Sequence, residues 1–237
     1  MTRQRQSFLW GALRTMAWAF VAAGPLVAMA QVGPTAAEAA RYTGLHAAAH
    51  RGDVAQLQQL TATGASLNTT DEHGRTPVHV AAFAQQRKAL RALAKAGADL
   101  DRLENDRYDA VTIAAVAGDE ATLATLLELG ASAKQTTSRY DGTALIAAAH
   151  LGHAGVVRLL IQAGAPLDHV NNLHWTALIE SIVLGDGGER HQATLNALVD
   201  AGTNRQLADR QGQTPLQLAR ARGYTAMVKK LESGPPR

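Results

Sequence analysis

Gly74-Arg75-Thr76-Pro77-Val78-His79-Val80-Ala81-Ala82 is the stretch that decides the fold. Pro77 suits the first turn of a helix, where its missing N–H has no partner to lose. Thr76, just before it, is placed to cap that turn by accepting a backbone N–H bond. The Ala-rich continuation lets a neighbouring helix approach closely. The same opening marker recurs along the chain at Thr43, Thr76, Asp109, Thr143, Thr176 and Thr214, in steps of 33, 33, 34, 33 and 38. A second marker, the glycine after each apolar run, recurs at Gly64, Gly97, Gly130, Gly164 and Gly202, in steps of 33, 33, 34 and 38. Two independent markers with one period define six units of about 33 residues. Inside a unit, apolar residues such as Leu123, Leu126 and Leu127 recur at helical spacing before Gly130 ends the second helix in a left-handed cap. One such helix pair cannot bury its face alone, so the units must stack.

Gly212-Gln213-Thr214-Pro215-Leu216 repeats the opening, and Val156-Val157-Arg158-Leu159-Leu160-Ile161-Gln162-Ala163-Gly164-Ala165 supplies a second helix and its exit. Together with the stretch from Gly74 to Ala82, these segments resemble the ankyrin repeat. The resemblance runs from about Tyr42 to Glu232. Gly44, Ala144 and Ala177 depart from it at the Pro position, Asp109-Ala110-Val111-Thr112 replaces the whole opening of the third unit, and Gln217 stands where other units carry His, Thr or Ile. The resemblance implies an all-α solenoid of about six ankyrin repeats with finger loops, over residues 42–234. It also implies a non-catalytic protein–protein interaction module. Gln56, Gln58 and Gln59 make the first unit's second helix polar enough for an exposed end, and Met227-Val228-Lys229-Lys230-Leu231-Glu232 closes the other end. Residues 31–41, with Gly33-Pro34 and an Ala-rich piece, read as a linker with room for one short helix.

Composition narrows the function classes. The 237 residues are 46% hydrophobic, 18% charged and 4% aromatic, which is globular rather than disordered. With no cysteine, disulfides, Cys-ligated metal and thiolate catalysis are excluded. The net charge of +3 hints at nucleic acid, but residues 1–30 hold three of the 23 basic side chains and no acidic one, so the remainder balances. No nucleic-acid partner is expected. Arg3, Arg5 and Arg14, the apolar run from Met16 to Ala23, the helix-breaking Gly24-Pro25 and Ala28-Met29-Ala30 have the form of an export signal cleaved after Ala30. The uncharged stretch from Thr15 to Ala30 falls short of the roughly 20 apolar residues that span a bilayer. The expectation is a bacterial protein, exported unfolded to the periplasm, monomeric and free of the membrane once the signal is removed.

The irregular steps locate two deviations. The steps of 34 place one extra residue between Gly130 and Thr143, in a finger loop. The steps of 38 place five more between Thr176 and Gly202, at Gly185-Asp186-Gly187-Gly188-Glu189-Arg190-His191, between the two helices of the fifth unit. The glycine pair of that insert suggests a flexible loop, whose polar side chains would order on a partner.

Chemistry is sparse. His46 and His50 are four apart, and His150 and His153 bracket a helix end, but three units separate the pairs by roughly 30 Å at packed-helix spacing. Neither pair has a third ligand, so no metal is expected, and His46 and His79 instead sit where the ankyrin histidine bonds neighbouring backbone. The Gly185–Gly188 run follows a helix rather than a strand and carries acids, so it is not a phosphate cradle, and no cofactor is expected. Surfaces carry more information. Positions four after each marker (Ala47, Val80, Ile113, Ala147, Glu180, Leu218) and seven after (His50, Phe83, Val116, His150, Val183, Ala221) line one face of the first helices. Two accounts of this apolar floor stand side by side, a partner covering it or neighbouring repeats burying it. Tyr108, Tyr140 and Trp175 lie at finger loops, where aromatics anchor protein partners or pack locally. The candidate partner-binding residues are therefore Tyr108, Tyr140 and Trp175 on the fingers, Phe83 and Ile113 on the floor, and Glu180, Asp186, Glu189, Arg190 and His191 at the insert. Glu180, the one acid in its row, is expected to be solvated or paired with Arg190 or His191. An alternative is an enzyme or small-ligand binder centred on Glu180 and the 185–191 loop, which requires a closed, polar, convergent pocket there.

Overall fold

The computed structural model describes residues 31–233. The export signal read over residues 1–30 lies outside the described residues. Within them thirteen helices follow one another: α1 (Ala36–Arg41), α2 (Gly44–Arg51), α3 (Val54–Ala62), α4 (Pro77–Phe83), α5 (Arg87–Lys95), α6 (Ala110–Ala117), α7 (Glu120–Glu128), α8 (Ala144–His150), α9 (Ala154–Gln162), α10 (Ala177–Val183), α11 (Glu189–Asp200), α12 (Pro215–Ala221) and α13 (Thr225–Glu232). The described residues hold no strand, only an isolated bridge between Thr137 and Gly142. From α2 onward the helices form six antiparallel pairs. The first members of the pairs pack in one row (α2, α4, α6, α8, α10, α12) and the second members in another (α3, α5, α7, α9, α11, α13). This is the all-helical repeat solenoid that the spacing predicts.

The local rules operate as the sequence suggests. Thr143, Thr176 and Thr214 cap their helices by accepting the backbone N–H of Ile146, Ile179 and Gln217. Asp109 does the same for Thr112 at 2.7 Å. Gly130 adopts φ +94°, a conformation that a side chain would strain, where α7 gives way to the finger. Ala48, Ala81, Ala115 and Ala149 are fully buried in the inner row, where small side chains permit close helix contact. Leu57, Leu90, Leu123, Leu160 and Leu195 fill the space between rows, each stabilising the array by about 1.5–3 kcal/mol through burial.

Histidine stitches one unit to the next. The Thr76 N–H donates to His79 Nδ1 at 3.0 Å, so Nε2 carries the proton and donates to the Tyr108 carbonyl of the next unit at 3.1 Å. Burial pushes the His79 imidazolium down to a pKa of about 4, so the ring is neutral. His46 Nε2 makes the matching contact to the Arg75 carbonyl at 2.8 Å.

The segment read as a linker is tied to the array. Its one short helix is α1, whose Thr35 and Glu38 form a reciprocal capping box. Arg75, 3% exposed, donates to Asp71 Oδ2 at 2.7 Å and to Glu38 Oε1 at 3.0 Å. Asp71 also accepts the Tyr42 hydroxyl at 2.7 Å, and His73 Nε2 lies 2.7 Å from Glu38. Sequence spacing gives no sign of this clamp, because its members lie far apart along the chain.

Candidate functional site

The inner helices expose one row and hide the other. At the position four after each marker, Ala47, Val80, Ile113, Glu180 and Leu218 are buried, with Ile113 2% and Val80 0% exposed, and Ala147 is half-buried. Neighbouring repeats cover this row, so Ile113 offers no side-chain surface to a partner. At the position seven after the markers, His50, Phe83, Val116, His150 and Val183 are half-buried and Ala221 is exposed. The accessible floor is thus a single strip of mixed imidazole and apolar groups.

The finger loops are built on one side chain each, at the position five before the marker. Asp71 accepts the His73 and Arg75 N–H groups, Glu104 those of Asp106 and Tyr108, Asn171 those of Leu173 and Trp175, and Asp209 those of Gln211 and Gln213. Ser138 takes the Tyr140 N–H in the fourth unit, whose finger runs 131–142 and contains the extra residue. Adjacent fingers join through backbone bonds from Asn105 to the His73 carbonyl, Ser138 to the Arg107 carbonyl and Asn172 to the Tyr140 carbonyl, all 2.9–3.0 Å. Two ion pairs cross from the third finger to the fourth, Arg107 to Asp141 at 3.0 Å and Arg139 to Asp106 at 2.9 Å, every member about half exposed. Such pairs add little stability each. They hold the tips in place.

At the turn two positions before the marker, the second and sixth units use Gly74 and Gly212 at φ +74°. The third, fourth and fifth units place Arg107, Asp141 and His174 there, at φ +67°, +51° and +64°. A side chain in this region costs about 1 kcal/mol or more. Three consecutive fingers keep side chains where glycine would relieve strain.

The aromatic candidates separate. Tyr108 and Trp175 pack against the core as partly buried residues, and burial raises the Tyr108 phenol above its ordinary pKa. Tyr140, also half-buried, stands in the lengthened finger between the two cross-finger ion pairs.

Glu180 is 5% exposed and meets neither Arg190 nor His191. It accepts from Asn171 Nδ2 at 2.8 Å and lies 3.5 Å from His150 Nδ1. The reason is its height on α10: Glu180 is in the first turn, beside the finger, whereas the insert follows the last turn. Asn171 thereby joins Trp175's finger to Glu180, a role for which its place five before the marker is the only sequence signal.

The insert does not stand free of the array. The loop runs 184–188, against 151–153 in the fourth unit, and α11 has 12 residues where α9 has 9. Glu189, Arg190 and His191 are therefore the first turn of a helix. His191, 9% exposed on its side chain, bonds Asp186 at 2.8 Å and the His150 carbonyl at 3.0 Å, and Arg190 donates to the Leu151 carbonyl at 2.6 Å. On the other side Tyr224 donates to the Gly185 carbonyl at 2.9 Å and its ring covers Gly187. Asp186 and Glu189 remain exposed, and the Gly188 N–H and His191 hold the Asp186 carboxyl below its ordinary pKa. Residues on both flanking units clamp this segment, which is why it packs against the array. His191 repeats His153, which bonds the Val116 carbonyl at 3.2 Å over Gly118.

An open cavity of about 410 Å³ lies at the start of the outer helices, lined by Glu120, His153, Gly155, Glu189 and Arg190 among others. Glu180 is not among the residues that line it. Among the described residues no three His, Asp or Glu side chains stand where they could share a metal ion.

Comparison with known proteins places this geometry. A family model described as ankyrin repeats matches residues 26–104, 45–137 and 111–204. YahD of Escherichia coli (strain K12), named as a putative ankyrin repeat protein, is 44% identical over 52 residues, 22% of this chain and 26% of that relative. The matched stretch thus spans about a quarter of the curated relative. An ankyrin repeat domain from Acinetobacter baumannii AYE is 42% identical with a TM-score of 0.74, covering 79% of this chain and 95% of that one. The ankyrin repeat protein EF0377 is 28% identical with a TM-score of 0.75, covering 82% and 100%. A chain in the complex of the Bdellovibrio bacteriovorus predatory endopeptidase Bd0816 with immunity protein Bd3460 shares the fold, at 22% identity and a TM-score of 0.67, covering 82% and 99%.

Proposed function

The chain belongs to the ankyrin repeat family, whose members are generally non-catalytic protein–protein interaction modules, and we propose that it binds another protein through the fingers of the third to fifth units and the adjoining inner-helix strip. One observation carries this reading: Arg107, Asp141 and His174 hold strained backbone conformations at three successive finger tips. Folding alone favours glycine there, as the second and sixth units show. Strain of this kind concentrates where a side chain is needed for recognition. Tyr140, with two charges of each sign around it, supplies an aromatic anchor in a mixed field, which suits a protein surface better than a polyanion.

The test is the double variant R107G/H174G, made alongside Tyr140→Ala. Relief of strain should leave R107G/H174G more stable than the parent, by about 1 kcal/mol or more in urea unfolding. Its capture of partner from periplasmic extract should fall at least tenfold, as should that of Y140A. Undiminished capture by both variants overturns the finger surface.

The periplasm is part of the same proposal. It rests on the basic, apolar and small-residue segments of residues 1–30 and on the balanced charge of the rest. Mass spectrometry of the native protein should find Gln31 at the N-terminus. An intact Met1 on membrane-bound protein overturns export.

A further inference from the structure

We infer that residues 31–35 are a releasable strap, occupying in cis the N-terminal end of the strip to which a partner binds. The inference rests on the reading of that strip as part of the binding surface. Its ground is what covers the first two positions of the accessible row. The backbone at Gly33 lies against the ring of Phe83, so closely that a Cβ added there would stand 3.1 Å from Cδ1. The Val32 carbonyl accepts from Arg75 Nη1 at 3.4 Å. Tyr42, where the same segment enters α2, sets its ring 5.5 Å from that of His46 and edge-on to that of His50 at 6.3 Å. Residues 31–35 thus cover Phe83, Tyr42 at the far end of the same segment covers His50, and the row continues beyond through Val116, His150 and Val183.

Two properties make the strap displaceable. It buries little of itself: none of residues 31–35 is buried, and Val32 is 74% exposed. Residues 31–35 are held by the Gly33 contact with Phe83 and the Val32 carbonyl on Arg75, while Glu38 meets Arg75 and His73 at the root. Segments with few buried apolar contacts open at far lower free energy than the core behind them. The strap also shows what the site accepts. A flat, extended segment with a glycine opposite Phe83 and a carbonyl within reach of Arg75 fits, and a competing partner segment needs the same features.

The experiment uses the full chain and, as probe, the labelled synthetic peptide of residues 31–41. Hydrogen exchange read by mass spectrometry should show amides 31–41 slowed at least tenfold relative to the free peptide, yet exchanging at least a hundredfold faster than those of α8. Gly33→Asp sets a charged side chain against Phe83, whose ring supplies the nearest atoms to that position. In G33D the strap should exchange within threefold of the free peptide, with α5, α7 and α9 unchanged. The peptide should then bind G33D in trans at least tenfold more tightly than it binds the parent chain. Strap exchange as slow as α8, or as fast as the free peptide, in the parent chain overturns the inference. So does equal binding to both chains, or none to G33D at the roughly millimolar concentration a tethered segment experiences. None of these measurements involves a partner protein. Failure here leaves the capture results on R107G/H174G standing, and loss of the finger surface leaves the strap measurements standing.

Discussion

Replacing Asp109 by Thr should stabilise this protein by about 2 kcal/mol at pH 7, and the gain should shrink toward zero near pH 4. Asp109 caps α6, the one unit of six in which a carboxylate stands at the marker, and it is 1% exposed. Burial pushes its pKa up to about 6, against the pull of the cap bond from Thr112. A carboxyl raised from 3.8 to about 6 disfavours the folded state once pH exceeds the folded value, by an amount on the order of 3 kcal/mol. Thr, the residue at this marker in the other five units, keeps a capping oxygen without the buried charge. As pH falls from 6 toward 4 the folded protein takes up a proton at Asp109, and the penalty that the substitution removes disappears.

His79 supplies the internal control. Its pKa, lowered by burial from 6.5 to about 4, means that the unfolded chain binds the proton first. Its contribution to stability is present above pH 6.5 and is lost as pH falls toward 4, opposite in sign to that of Asp109 over nearly the same window. The two slopes largely cancel in the parent chain. Removing the carboxylate exposes the histidine slope, so D109T should lose about 3 kcal/mol more than the parent between pH 6.5 and 4. Urea unfolding followed by circular dichroism at pH 7, 5.5 and 4 decides it. An equal gain at all three values, or a loss at pH 7, sinks the assignment.

Arg75→Met should destabilise the N-terminal end of the array by about 2 kcal/mol, because it removes a buried cation from two partly buried carboxylates. Arg75 is the hub of the clamp between the residue 31–41 segment and the second finger. Burial works against the charge on Asp71, yet the Tyr42 hydroxyl and Arg75 hold its carboxyl below the ordinary value. Thr35's N–H and hydroxyl, with Arg75, hold Glu38 at about 2. Carboxylates lowered in this way contribute stability above their unfolded pKa values and lose it as pH falls, so the penalty of R75M should diminish below about pH 4. Met matches the apolar stem of Arg in size, which isolates the charge. In a stacked array each unit contacts only its neighbours, so the damage should stay local. Hydrogen exchange should accelerate in α1, α2 and α3 at least tenfold, with α8 and α9 unchanged. A variant as stable as the parent, or acceleration spread evenly along the chain, contradicts the clamp.

How much of this is legible beforehand depends on the length of chain over which each feature is encoded. Thr-Pro openings, Ala-rich inner helices and glycine exits are local rules, each satisfied within a few neighbouring positions. Their regular recurrence sets the number of units, their stacking and the finger that holds the extra residue near Tyr140. Arithmetic alone locates the insert, but its conformation departs from the flexible loop that Gly187-Gly188 suggests. Tyr224 and the His150 carbonyl, both distant along the chain, pin the segment on either side, and Glu189, Arg190 and His191 continue it as helix.

The same division separates the surfaces. Sequence places Ile113 and Phe83 on one helix face, but burial depends on the helix in the next unit, and only packing shows that Ile113 is buried while Phe83 and its row stay half-buried. Glu180's partners, Asn171 and His150, and the clamp joining Glu38, Asp71 and Arg75 likewise come from tertiary structure. Period and capping are properties of short segments, so the residues in order determined the architecture. Which side chains meet across units depends on distances that stacking alone sets, so tertiary structure decided what the array offers to a partner.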